Sequence, residues 1–199
     1  MGKSLSEMTL EELWQLFPII LTKPDPRWRQ WYAQEHALIE PLLPAGTRIS
    51  HIGSTAIEGI WAKPIVDLLA ELPPGGNPAA AAEKAAQASY RIMSRNGSRI
   101  SCNKGYTESG FAERVFHLHL RMAGDHDELY FRDYLNDHPS IAAEYEQLKL
   151  SLWKAYEHDR DGYTAAKAAF VAQYTGEAKG LYGSRYEADA LWKSSLRQG

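Results

Sequence analysis

The chain has 199 residues, 44% of them hydrophobic, which suffices for one domain with a sizeable core, and its net charge is -3. That balance excludes a general electrostatic pull toward nucleic acid or an anionic membrane, so any phosphate recognition has to come from a local cluster. A lone cysteine, Cys102, excludes an internal disulfide, and the N-terminus lacks the succession of a secretion signal; both point to the cytosol.

In chain order, Thr9 followed by Glu12 reads as a capping box, opening a helix in which Leu13, Leu16 and Phe17 share a face. Pro24 and Pro26 end that element. The spacing of Trp28, Trp31, Leu38 and Leu42 then predicts a second helix that stops near Pro44. "TRISHI" predicts a strand around Ile49 and "PIVDLLAEL" a longer one, while the stretch between them is too short and too glycine-rich for a full helix. A turn cluster and an alanine-rich helix follow. "YRIMSRN" and "RVFHLHLRM" predict further strands around a loop over 96–113. From Asp125 helical periodicity dominates, with breaks at Pro139 and at Asp161-Gly162; after Gly176 and Gly180 it weakens, and "YEADALWKSSL" reads as a short helix. The expected architecture is α/β of the α+β kind: a mixed sheet flanked by helices, within a single domain over 1–199. Its core covers about 20–124 and a C-terminal helical lobe covers about 125–176.

Three features carry chemistry. A glycine and a serine at a strand end, Gly53-Ser54, expose backbone amides and a hydroxyl that suit a phosphate, although Gly-Ser-Thr is also an ordinary tight turn. Asp67 interrupts an apolar strand. Its desolvation is unfavourable by several kcal/mol, so a metal, a cation or several donors belong beside it, a structural ion pair being the alternative. In "FHLHL", Phe116, Leu118 and Leu120 face one way and His117 and His119 the other. Those two imidazoles stand about 7 Å apart at the backbone, a spacing that one ion can bridge. Neutral imidazoles with a carboxylate suit Zn, Mn or Fe better than Mg. Alternatively the histidines hydrogen-bond Asp67 or the Gly-Ser loop, and His51 can join either arrangement. Elsewhere, Arg132 and Asp133 read as a pair within the lobe, and "DHDEL" at 125–129 as a charged helix start.

Together, "HIGSTAIEGIWAKPIVDLLAEL", the "HLH" of 117–119 and "FRDYLNDHPSIAAEYEQLKLSLWKAYEHDRDGYTAAKAAFV" resemble the GrpB family over roughly residues 20–175. That family is placed in the nucleotidyltransferase superfamily. The resemblance implies a nucleotidyltransferase-like fold in which Gly53, Ser54 and Thr55 hold nucleotide phosphates, and Ser54 and Asp67 stand at the catalytic positions. It also implies that Asp67, with His117 and His119, holds a divalent metal (Mg, Mn or Zn). Lys63, Lys104, Lys149, Tyr163 and Lys167 are then ligand-binding positions for a nucleoside triphosphate or another small phosphate-bearing substrate. One departure stands out. Leu69 occupies the place of the second carboxylate in the superfamily's pattern, Glu71 lies about 13 Å along the strand from Asp67, and the third position falls at His117 or His119. Three functions therefore stay open: metal-assisted nucleotidyl transfer, a phosphate-binding regulatory module without transfer, and a metal-dependent phosphoesterase built on His and Asp.

Overall fold

The structure, a computed structural model, describes residues 3–186. The short helix expected at the C-terminal end lies outside them apart from Tyr186. The N-terminal arm carries helix α1 (Leu10–Leu16), closed by the expected box: Thr9 Oγ1 accepts from the Glu12 amide at 3.2 Å and the Glu12 carboxylate accepts from the Thr9 amide at 2.8 Å. Helix α2 (Arg27–Ile39) ends in a short 3-10 turn before Pro44. Strand β1 (Arg48–Ile52), a 3-10 turn over Ser54–Ala56 and strand β2 (Ile65–Leu72) follow, then helix α3 (Pro78–Ala85).

The next stretch corrects the sequence reading. The region expected to be a loop is strand β4 (Arg99–Thr107), between β3 (Arg91–Asn96) and β5 (Gly110–Met122). Its Gly, Ser and Asn content mimics a turn, yet Ile100 and Cys102 alternate with Ser101 and Asn103, the period of a half-buried strand. Four lobe helices complete the described residues: α4 (Asp127–Asp137), α5 (Pro139–Trp153), α6 (Arg160–Ala166) and α7 (Ala168–Tyr182). Asp161-Gly162 does not separate helices. Asp159 caps α6 by accepting from the Gly162 amide at 2.8 Å, which places that dipeptide in the first turn. Nor does the lobe end at Gly176, since α7 runs on through Gly180; a helix docked on a core tolerates glycines that cost an isolated one about 1 kcal/mol each.

The five strands form one mixed sheet in the order β1-β2-β5-β4-β3. Strand β2 runs antiparallel to β1 and parallel to β5, and the remaining pairs are antiparallel. One face buries Val66, Leu68, Ala70, Phe116, Leu118 and Leu120 against α2 and α3. On the opposite face Ile52 and Leu69 pack with α4, α5 and α7. Each fully buried aliphatic side chain contributes about 1.5–3 kcal/mol, so both helical layers are firmly seated. Among the described residues no helix is long and apolar enough to cross a membrane.

Candidate functional site

The parallel pairing of β2 with β5 assembles the site. Its register sets Asp67 opposite His117 and Leu69 opposite His119, so all four side chains share the face turned toward the lobe. His117 Nδ1 lies 3.0 Å and His119 Nε2 3.3 Å from Asp67 Oδ1. Burial opposes the ionisation of Asp67, but the hydrogen bonds to the two imidazoles outweigh it and hold the carboxyl below its ordinary range. Burial also lowers His117, against the pull of Asp67, and keeps its ring neutral.

A glycine is obligatory beside this carboxylate. Gly53 has a φ of 72°, and a Cβ there would strike the Asp67 carboxylate, so the turn after β1 lies directly on the cluster. Ser54 and Tyr145 both line the cleft. Thr55 does not reach the cleft through its side chain: its buried hydroxyl donates to the Ile65 carbonyl at 3.1 Å and meets His51 Nε2 at 3.0 Å. His51 stacks on Tyr32 and joins neither the carboxylate nor its histidines. Both brace the turn. Arg132 adds a further brace, pairing with Asp133 as expected and donating to the His51 carbonyl at 2.8 Å.

Between sheet and lobe opens a cleft of about 810 Å³ that contains Asp67, His117, His119, Gly53 and Ser54. Its other wall carries Lys63, Lys149, Lys167 and Arg160, none of which makes an ion pair among the described residues. Lys149 is buried, bonded to the Trp61 carbonyl and set over the Tyr145 ring. Lys63 and Lys167 lie over the Tyr163 ring at 5.5 and 4.3 Å. Burial first, and then repulsion within the group, lowers Lys63 and Lys149 to about 7; burial, opposed by Asp67, lowers Lys167 to about 8. Lys104 is not part of this set. Its ammonium points to the opposite face and pairs with Glu35 at 2.8 Å, because it stands opposite Phe116 rather than His117. Glu71 is likewise engaged elsewhere, by His126 at 2.6 Å.

Two contributors escaped the sequence reading. Arg160 precedes Tyr163 and Lys167 by three and seven residues, a helical spacing that could have revealed it. Tyr106, whose hydroxyl meets His117 Nε2 at 2.8 Å, gives no local signal. Gly105, with a φ of 91° at a register shift in β4, resets the strand's alternation and re-aims Tyr106 at the site face.

Three donor atoms lie within 4.8 Å of one another, one carboxylate oxygen and two imidazole nitrogens, and together could hold an ion. Metal bonds of about 2.1 Å set neighbouring ligand atoms roughly 3.0–3.5 Å apart, and the two separations from Asp67 fall in that span. The donor set fits Zn, Mn or Fe.

The GrpB protein family matches residues 18–177. The chain belongs to the GrpB family. It is 31% identical over 171 residues to the glutamate-rich protein GrpB of Alkalihalophilus pseudofirmus, covering 80% of this chain and 95% of that one. A UPF0157 protein of Pseudomonas aeruginosa is 36% identical over 158 residues, 77% of this chain; the match spans only 65% of that relative. The crystal structure of GrpB from Enterococcus faecalis superposes with a TM-score of 0.70 at 25% identity, covering 82% of this chain and 99% of that one. A GrpB fold is thus common to both structures.

Proposed function

We propose that this GrpB protein binds a nucleotide or a related phosphate-bearing small molecule in the cleft and transfers its nucleotidyl or phosphate-bearing group with metal assistance. The supporting observation is that four cationic side chains without acidic partners converge on the cleft that holds Asp67, His117 and His119. Buried like charges repel, and an anion with several charges relieves that repulsion. Lys149, Lys167, Lys63 and Arg160 bind and orient the phosphates, with Gly53 and Ser54 closing on them from the sheet. Asp67, His117 and His119 would hold one divalent ion, which when bound supplies a Lewis acid at the phosphoryl oxygen. The Tyr106 hydroxyl can accept from His117 Nε2 when that nitrogen carries the proton, which would leave Nδ1 to ligate.

Leu69 favours a second reading. It is fully buried among apolar side chains, so a second ion on the pattern of paired carboxylates has no place, and a binding module without transfer fits that loss. Thermal-shift titration with ATP, GTP, CTP and UTP, each with Mn²⁺, Zn²⁺ or Mg²⁺, tests the site. We expect stabilisation by at least one pair and product formation that Asp67→Ala abolishes. No shift with any pair counts against the site; binding without product, unaffected by Asp67→Ala, establishes the second reading.

A further inference from the structure

Beside the charged cleft lies a second cavity of about 380 Å³, roofed by the N-terminal arm and floored by the sheet. Lys63, Ile65 and Arg160 border both spaces, so the two adjoin. The volume lies within the roughly 300–1,000 Å³ of small-molecule sites, and the wall is mostly apolar. Phe17, Tyr106 and Phe111 form an aromatic trio with ring centroids 4.8–5.2 Å apart, and Trp14 of α1 adds a further ring.

Among the polar groups of this lining is one amide. Asn103 stands opposite His117 in the β4–β5 register, on the face of the sheet that carries Asp67. It is 6% exposed, borders the cavity, and its amide has no hydrogen-bond partner among the described residues. Its amide atoms are not among the fully sealed polar atoms, so they stay accessible to a ligand. It offers a donor and an acceptor side by side.

We propose that this cavity receives a planar heteroaromatic ring with a donor–acceptor edge, of the nucleobase kind, packed among the aromatic side chains and hydrogen-bonded by Asn103, while the phosphates of the same molecule lie on the cations of the adjoining cleft. Only the placement of the phosphates rests on the function proposed above. The ring site stands on Asn103 and the aromatic wall.

Calorimetric titration with the four nucleoside triphosphates, their nucleosides and inorganic tripolyphosphate separates the two parts. We expect at least one nucleotide to bind tenfold or more tightly than tripolyphosphate. Asn103→Leu is expected to weaken that nucleotide about tenfold, the worth of one good hydrogen bond, and to leave tripolyphosphate unchanged. Trp14→Ala should act in the same sense, and because α1 contains no buried residue this variant keeps the fold if Asn103→Leu does not. Equal binding of nucleotides and tripolyphosphate, insensitive to both variants, overturns the ring site and leaves the anion cleft standing. Nucleoside binding that depends on Asn103, with no response to tripolyphosphate, supports the ring site and removes the cleft reading. Nucleoside binding with no gain for the linked nucleotide overturns the single-molecule assignment in favour of a separate ring-bearing acceptor. Absence of binding by every nucleotide and nucleoside overturns the ring site outright.

Discussion

Gly53 and Asp67 are held so closely against each other that the turn has no room for a side chain at position 53. In Gly53→Ala the new methyl meets the carboxylate in a backbone conformation that L-residues avoid. Strain of this kind costs roughly 1–3 kcal/mol. The variant is expected to unfold at lower denaturant concentration by that amount and to lose metal-dependent stabilisation, because the displaced Asp67 no longer meets His117 and His119; an unchanged unfolding midpoint contradicts the close approach. The importance of Asp67 was legible in the sequence, as a carboxylate with no local reason to be among Val66, Leu68 and Leu69. Its contact with the glycine was not, since fourteen positions of sequence separate them and only the folded turn brings them together.

At the level of strands and helices, Leu69 shows how a packing position limits chemistry. It shares the site face with Asp67 but lies under α4 and α7, fully buried. Leu69→Asp is therefore expected to destabilise the protein by roughly 3–5 kcal/mol, the scale of an unpaired buried charge, without restoring a second metal position; a variant as stable as the parent, or one that gains metal stoichiometry, contradicts this. The alternation of "FHLHL" was enough to place both histidines on one face, because a period of two survives without tertiary information. Strand β4 was misread for the opposite reason. Its polar residues belong to the site face and its apolar ones are few, so Asn103 and Tyr106 went unnoticed. Lys104 was grouped with the cleft lysines in the sequence, and the β4–β5 register is what sends it to Glu35 on the other face.

Taken as a whole molecule, the protein stores charge between its layers. The lysines at 63, 149 and 167 hold their protons less tightly when folded than the ordinary value of 10.5. Between about pH 7 and 9, below the ordinary titration of tyrosine, the unfolded chain thus binds more protons, and stability of the ligand-free protein rises with pH. A bound polyanion reverses this preference by favouring the charged lysines. Melting curves with and without tripolyphosphate are expected to show the largest ligand-induced shift near pH 6 and a smaller one near pH 9. A shift independent of pH contradicts the role given to these lysines.

Asp67 and His117 meet across fifty positions of sequence, through a parallel strand pair that cannot form before the chain between them has crossed over. A collapsed but unregistered chain has no such cluster to offer. Ion occupancy is consequently coupled to completion of the tertiary topology, and an ion at a hundred times its dissociation constant would add about 2.7 kcal/mol to the native state alone.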